Sequence, residues 1–258
     1  MEKLSPQTPS GLSGSRLRLW GILFLLAGII SRGILQTRLL GVGISSSQQL
    51  LERLETVPNG MVLAAAALLL QAMESCAAPI FAFLLVEGFC HTKDWKQYAL
   101  RIAGVALLSE LPYNLVVSGK LLELSSRNPV FGLLLGMVVL YFCRRYEEKS
   151  GKNTALKLFV IVAAILWAGM LRIEHGILLI LLVSVLWGLR NKPNVRTLAG
   201  FAAGAACIFI SPFYIVSAMG FLPVHLYNNE QGESNRWVNY LAYPALLLLT
   251  GVLGLLAF

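Results

Sequence analysis

Long apolar runs separated by short polar connections dominate this sequence. A helix needs about twenty mostly apolar residues to cross a bilayer, because the hydrocarbon layer is roughly 30 Å thick and each residue adds about 1.5 Å. The sequence therefore predicts an all-α polytopic transmembrane helix bundle of about eight helices. The predicted spans are 19–40, 60–90, 99–117, 130–146, 155–171, 176–189, 198–219 and 238–258.

The composition is typical of a membrane-embedded chain, and we find one domain in it. Of the 258 residues, 57% are hydrophobic and 13% are charged, whereas soluble domains are about half apolar and a quarter charged. No linker or charge block divides the chain, so we predict a single transmembrane domain at 19–258 after a cytoplasmic segment at 1–18. No small-residue cleavage site follows the first apolar run, so we expect the first helix to be retained.

The apolar run at 60–90 leaves the helix count open. It is too long for one straight span and too short for two spans with a loop, and it contains Glu74 and Pro79. A proline inside a helix removes one hydrogen bond and kinks the helix, and a bundle can satisfy the freed carbonyl. We therefore predict one long bent helix here.

The distribution of basic residues tests this choice. With eight helices and a cytoplasmic start, fourteen basic residues fall in inside segments and six in outside segments, as the positive-inside rule requires. We therefore predict a multi-pass protein of the cell membrane with both termini in the cytoplasm. The net charge of +8 is then explained by the basic residues of the cytoplasmic segments. We expect the lipid bilayer as a partner and no nucleic-acid partner.

The cysteines and histidines do not form a metal-binding pattern. Cys76, Cys90, Cys143 and Cys207 lie inside or beside apolar runs and lack C-x-x-C spacing, which is typical of small packing residues. The histidines, His91, His175 and His225, fit no helical zinc motif. We therefore predict no metal.

Ionisable residues inside the membrane are the first candidates for a functional site, because each costs roughly 3 kcal/mol on insertion scales unless it faces protein or water. The uncharged run before Arg32 covers about 20 Å of helix, so the first span must include Arg32. We predict that Arg32 is buried and paired with Glu74 or Glu110. A buried ion pair that ties helices together and a ligand-binding role both fit this position.

Three further polar pairs have alternative interpretations. Glu110 and Asn114 are one helical turn apart, as are Glu87 and His91, so the members of each pair share a helix face. Glu87 and His91 could share a proton, as general acid/base catalysis requires, or could simply reach the membrane surface. Glu174 with His175 has the same two interpretations.

The segment at 78–115, APIFAFLLVEGFCHTKDWKQYALRIAGVALLSELPYNL, strongly resembles the TraX family of bacterial membrane proteins. The family pattern includes Glu87-Gly88-Phe89, His91-Thr92, Arg101, Ser109-Glu110 and Pro112. Further matches are Asn128, Glu174 before Gly176, Tyr227-Asn228 with Gly232, Tyr240 and Tyr243-Pro244. The resemblance covers nearly the whole chain.

The resemblance implies an acetyltransferase. The family is named for a conjugation protein that acetylates the amino terminus of pilin, and it is similar to membrane acyltransferases that use cytoplasmic acyl-CoA. We therefore expect acetyl-CoA as the donor and an amine or hydroxyl on a protein or small molecule as the acceptor. The residues expected to be catalytic are Glu87, His91 and Glu110, and those expected to bind substrate are Arg32, Arg101, Asn114, Asn128, Glu174, Tyr227 and Asn228.

The chain departs from the family pattern in its first helix. Family members typically carry Asp-His there, and the His resembles the acyl-transfer base of the wider superfamily, but this chain has Ser31 and Arg32. Either another residue such as His91 or His175 is the base, or the reaction has been lost. A transporter for a small anion and a non-catalytic membrane assembly partner are therefore the alternative functions.

Overall fold

Helices form the whole architecture of the part of the chain that the computed structural model describes, residues 11–41, 47–233 and 235–257; two isolated β-bridges occur there, and no strand. A π-helix (Ser31–Leu39) continues the first helix, and 3-10 turns (Cys207–Phe209 and Ala218–Gly220) lie near the tenth. The α-helices in chain order are α1 (Gly14–Ile30), α2 (Ser47–Thr56), α3 (Gly60–Ser75), α4 (Ala77–His91), α5 (Trp95–Ser118), α6 (Val130–Arg145), α7 (Gly151–Met170), α8 (Gly176–Gly188), α9 (Pro193–Ala206), α10 (Tyr214–Ser217), α11 (Phe221–His225) and α12 (Arg236–Ala257).

The predicted all-α membrane bundle is confirmed, but the predicted count of about eight spans is only approximate. Within the described residues five helical stretches are long and apolar enough to cross a membrane, and the apolar helices Gly176–Gly188 and Tyr214–His225 are shorter. The first stretch begins inside the predicted N-terminal segment 1–18. The five are Gly14–Leu39, Gly60–His91, Trp95–Ser118, Gly151–Met170 and Val238–Leu256.

The predicted long helix at 60–90 is present as one stretch, Gly60–His91, interrupted at Cys76. Pro79 has no N–H to donate to the carbonyl of Ser75, four residues earlier. The backbone of Gly220 also packs directly on the Cys76 carbonyl, where any side chain would overlap it. The interruption therefore leaves Glu74, two residues before it, in the middle of the bundle.

The predicted span at 198–219 is wrong, because the structure has a helical hairpin there. Helix α9 ends at Ala206, the chain turns before Pro212, and α10 and α11 return along α9. The return is close because Gly200 faces the Phe221 ring and Gly204 faces Ser217, with no side chains between them. The hairpin therefore reverses the chain within a region predicted as one pass.

The hairpin also reverses the direction in which the C-terminal helix crosses the bundle, compared with the prediction. Arg18, near the start of α1, donates a 2.7 Å hydrogen bond from Nη1 to Oδ1 of Asn239, near the start of α12. Arg38, at the end of the π-helix, packs on Gly254 near the end of α12. Helices α1 and α12 are therefore parallel, and the predicted placement of both termini in the cytoplasm does not fit this geometry.

We call the end of the bundle where α1 and α12 begin the basic face. The parallel arrangement brings Arg236, the first residue of α12, to the basic face rather than to the outside. This increases the asymmetry on which the positive-inside rule depends. Among the described residues, the basic residues left at the opposite face are Arg38, Arg53, Lys120, Arg127 and Arg172.

The parallel arrangement of α1 and α12 predicts opposite locations for two reporter fusions. A phosphatase that is active only outside the cytoplasm should be active when fused at the C-terminal end, after α12. The same reporter should be inactive when fused after Lys149, which precedes α7 at the basic face. Activity measurements on intact cells check this, and equal reporter activity at both positions would contradict the hairpin.

Candidate functional site

The most polar region inside the bundle centres on Arg32. Its Nη2 donates to Oε2 of Glu74 and its Nη1 donates to Oε1 of Glu174. The exposed fractions of these side chains are only 11% for Arg32, 5% for Glu74 and 17% for Glu174. The predicted burial of Arg32 and its pairing with Glu74 are confirmed, while Glu174, predicted to bind substrate, is its second partner.

Local backbone features position these three side chains. Arg32 lies in the first turn of the π-helix, and π-helical turns are frequent at functional sites. Gly28, one turn earlier, leaves the space that the Glu74 carboxylate fills, since any side chain there would overlap it. Glu174 lies in the connection between α7 and α8.

The short helix α8 explains why this connection lies deep in the bundle. Its 13 residues rise only about 20 Å, so a helix that ends at the basic face starts well short of the opposite face. Arg172 and His175 adopt left-handed backbone conformations in this connection, with φ of 51° and 54°. Two charged or titratable side chains, Glu174 and His175, therefore enter the interior together.

Two tyrosines complete the cluster. Tyr113 of α5 donates a 3.0 Å hydrogen bond to Oε2 of Glu174, and its hydroxyl also lies 2.8 Å from that of Ser126. Nδ1 of His175 lies 3.0 Å from the Tyr214 hydroxyl at the start of α10. The hairpin thus contributes directly to the cluster through Tyr214.

Among the described residues, two buried nitrogen atoms of this cluster have no hydrogen-bond partner, Nε of Arg32 and Nε2 of His175. An unsatisfied buried polar group costs about 1–3 kcal/mol. Both atoms belong to side chains beside the same carboxylate, since Arg32 binds Oε1 of Glu174 and His175 Nε2 lies 3.9 Å from it. Of these two side chains, that of His175 also lines a cavity, so its Nε2 is the polar atom that a ligand there can satisfy.

A cavity of about 430 Å³ runs from this cluster to the basic face. Glu74 and His175 line its deep end, and Arg18, His91 and Arg101 line its mouth. The middle is apolar and includes Ile22, Leu25, Phe81, Leu84, Ile102 and Leu133.

The predicted residues Glu87, His91, Arg101 and Tyr227 meet at the mouth of this cavity. Nδ1 of His91 lies 2.9 Å from the backbone oxygen of Glu87 and 3.6 Å from its Oε1. The Tyr227 hydroxyl donates a 3.4 Å hydrogen bond to Oε1 of Glu87. Burial, followed by the nearby Glu87 carboxylate, raises the pKa of Tyr227 to about 12, so Tyr227 remains a donor at neutral pH.

Glu110, Asn114 and Asn128 do not line this cavity. Glu110 accepts a 2.8 Å hydrogen bond from Arg127 and a 2.6 Å bond from the Asn128 amide. Glu110 is therefore not a partner of Arg32. The Asn114 amide donates to the backbone oxygen of Leu121 at 3.4 Å. These contacts fix the connection between α5 and α6.

Asn228, also predicted to bind substrate, holds a turn. Its amide donates a 3.2 Å hydrogen bond to Oε2 of Glu230, and its Oδ1 accepts one of 3.0 Å from the Glu230 backbone. Its own backbone N–H donates to the Leu12 carbonyl. It therefore ties the segment before α1 to the segment after α11.

Sequence reasoning did not identify Arg18, Tyr113 or Tyr214 as site residues. For Arg18 the sequence indicates only that it is one of the fourteen basic residues of the predicted inside segments. Tyr113 directly follows Pro112, and Tyr214 lies two residues after Pro212. A tyrosine close to a proline within an apolar run is therefore the sequence signal that could have identified both residues.

Glu74, Glu174 and His175 have the spacing of a metal site, with one ligand atom from each within 4.8 Å of the others. The guanidinium group of Arg32, however, already binds both carboxylates. A metal ion at this position would have to displace Arg32, so the two glutamates are better described as the partners of Arg32 than as metal ligands.

Comparison with known proteins gives one match. The family model described as TraX protein matches residues 56–254, which is more than half of the chain. No match was found among curated proteins or solved structures. The match includes Glu74, Glu174 and the mouth residues His91 and Arg101, and it begins after Arg18 and Arg32.

Replacing Arg32 with glutamine leaves two buried carboxylates without their cation. Removing one partner of a buried pair typically costs 3–5 kcal/mol, so we expect the R32Q variant to lose about 3 kcal/mol of stability. Thermal unfolding in lipid nanodiscs measures this loss.

The matched control is Lys120→Gln, because Lys120 pairs with Glu123 at 3.9 Å on the exposed surface. Exposed pairs contribute little, so its unfolding temperature should stay close to that of the wild type. Equal stability of the R32Q variant and the wild type at neutral pH would contradict the buried network.

Proposed function

The chain belongs to the TraX family, and on that basis we propose that it is a membrane acyltransferase that moves an acetyl group from acetyl-CoA to an amine or hydroxyl acceptor. The observation that supports this most is the cavity from the basic face to the Arg32 cluster. Glu74 and His175 line its deep end, and Arg32, which pairs with Glu74, lies outside the lining.

The cavity has basic side chains at its mouth and apolar side chains in its middle, which suits an acyl-CoA donor. The anionic phosphate groups of the donor would lie at the mouth, near Arg18 and Arg101, because guanidinium groups bind phosphate well. The uncharged arm would follow the apolar middle of the cavity. The thioester would then reach the deep end beside Glu74 and His175.

The residues at the deep end match the needs of acyl transfer. The acceptor nitrogen or oxygen attacks the thioester carbon, a base takes its proton, and the carbonyl oxygen becomes an oxyanion. We assign the base to Nε2 of His175, and we assign the stabilisation of the oxyanion to the positive charge of Arg32, which pairs with Glu74 of the cavity lining. The C–S bond then breaks, and the departing thiolate takes the proton from the base.

The remaining side chains of the cluster would position these two. Glu74 and Glu174 hold the Arg32 guanidinium, and Tyr214 fixes the ring of His175. If the Tyr214 oxygen accepts the Nδ1 proton, then Nε2 is the free acceptor that a base requires.

His91 with Glu87, the base expected from the sequence, is the alternative at the mouth. His91 is 59% exposed, so water surrounds it, and the electrostatic stabilisation of an oxyanion is weaker there than in a dry site. His175 is therefore the better candidate, and His91 and Glu87 would guide the donor into the cavity.

The basic face is assigned to the cytoplasm of a cell membrane on the positive-inside rule. The cavity mouth would then face cytoplasmic acetyl-CoA. The acceptor remains an amine or hydroxyl of a protein or small molecule, and pilin is an expectation from the family name alone.

A transporter of a small anion is the second candidate, and the hairpin favours it. Secondary transporters bind substrate near the bilayer midplane at interrupted helices. Here α9 to α11 reverse inside the bundle and touch the buried cluster through Tyr214. The replacement of the family Asp-His by Ser31-Arg32 favours the third candidate, a non-catalytic assembly partner.

Paired histidine variants test the acyltransferase proposal and locate the base. General base catalysis contributes about 100-fold or more, so His175→Gln should lower acetyl transfer by about that factor, while His91→Gln should retain most of it. Transfer of label from acetyl-CoA to membrane components in vesicles is the measurement, with the unfolding temperature of each variant as the check on folding.

The reverse result, loss with His91→Gln and retention with His175→Gln, would move the base to the mouth. Absence of transfer by the wild type would argue against an acyltransferase. Uptake of labelled anions into the same vesicles would then separate the transporter from the assembly partner.

A further inference from the structure

We propose that Arg144, Arg190 and Arg196 form a second site at the basic face, outside the cavity, that binds a phosphate group. The three residues come from different elements: Arg144 is in the last turn of α6, Arg190 follows α8, and Arg196 is in the first turn of α9. None of them lines the cavity described above. We call this set the arginine triad.

Aromatic rings hold each guanidinium group of the triad in place. The Cζ atom of Arg190 lies 4.1 Å from the centre of the Trp187 ring, and that of Arg196 lies 4.8 Å from the centre of the Phe83 ring. Arg144 lies 5.7 Å above Phe89, which itself packs edge-on against Trp187. The rings form a buried aromatic floor under the triad.

This arrangement is more specific than the positive-inside rule requires. That rule needs only charge near the helix ends, which flexible side chains can supply. A guanidinium group stacked on a ring keeps its N–H groups free at its edge, and its planar fork matches the oxygens of a phosphate. Arg190 already donates from Nη1 to the Trp187 carbonyl and from Nη2 to Glu147. Arg144 and Arg196 therefore supply most of the donors of this partly organised anion site.

One exposed side chain, Cys90 in the last turn of α4, lies beside the triad. It directly follows Phe89, whose ring lies under Arg144 and packs against Trp187, the ring under Arg190. All three guanidinium groups also act electrostatically on its thiol. Cys90 is exposed, while Cys76, Cys143 and Cys207 are buried, so it provides a chemical probe for the triad.

The carboxylates near the triad neutralise it only in part. Glu147 pairs with Arg190, and Glu87 acts on Arg196 from a greater distance while it is bonded to Tyr227. Among the described residues no carboxylate lies within salt-bridge distance of Arg144 or Arg196, and Nε of Arg196 is buried without a hydrogen-bond partner. The N-terminal turn of α9, which contains Arg196, adds partial positive charge.

The phosphate could belong to an anionic lipid headgroup of the same leaflet or to a soluble phosphate compound. Basic pockets between transmembrane helices at the cytoplasmic side are known to bind lipid headgroups. The shared chemistry is a phosphate oxygen against three guanidinium groups, and the two sources differ in whether the lipid or the solution supplies it.

Maleimide labelling of Cys90 in the full-length protein tests the triad. One arm adds inorganic pyrophosphate to protein in nanodiscs of neutral phospholipid, with chloride at equal ionic strength as the reference. The other arm replaces the neutral lipid with phosphatidylglycerol. We expect slower labelling of Cys90 in at least one arm, and a Cys90→Ser variant confirms that the label reports this thiol.

Variants decide whether the protection comes from the triad. Loss of one charged hydrogen-bond donor should weaken binding about tenfold, so Arg144→Gln and Arg196→Gln should largely abolish protection. Arg145→Gln removes the same charge from an adjacent exposed residue and should preserve it. Each variant is compared with and without phosphate, so changes in thiol reactivity cancel.

Protection by phosphatidylglycerol alone would identify the lipid headgroup as the source, and protection by pyrophosphate would identify a soluble compound. Labelling that neither ligand slows would overturn the proposal. Equal protection in the wild type and Arg196→Gln would overturn it as well, because the effect would then come from general surface charge.

Discussion

The guanidinium group of Arg32, held by two carboxylates in the interior of the bundle, is the interaction on which the rest of the structure depends. A charge at this depth is stable only when its partners are fixed. The partners come from α3 and from the connection before α8, so the pairing joins segments that are 42 and 142 residues from Arg32. The cavity ends where this network begins.

Interruptions of regular helices supply the groups around Arg32. Irregular backbone inside a membrane is tolerated only where protein or water satisfies it. The π-helix carries Arg32, the break at Cys76 follows Glu74, and the hairpin turn precedes Tyr214. These interruptions would be costly in lipid, but inside the bundle they assemble a polar site. They therefore explain why apolar helices surround the charged cluster around Arg32.

Much of the fold follows from hydropathy, because bilayer thickness dictates the length of an apolar run. The cost of an unpaired charge predicts that Arg32 is buried and paired with Glu74 or Glu110, and the structure selects Glu74. The hairpin could not be predicted in this way, since Pro212 lies in a run, 198–219, that contains no charged residue. The pairing of Glu110 with Arg127, and the meeting of His175 with Tyr214, depend on how distant helices pack, which spacing along one helix does not reveal.

Gly28 has a consequence for recognising proteins built like this one. Its missing side chain is the space occupied by the Glu74 carboxylate, and it stands four residues before Arg32 on the same helix face. A larger residue at that position is incompatible with the paired arrangement. Glycine, arginine and the two distant glutamates thus form a linked four-residue signature, by which chains with this ion network can be recognised from their sequences.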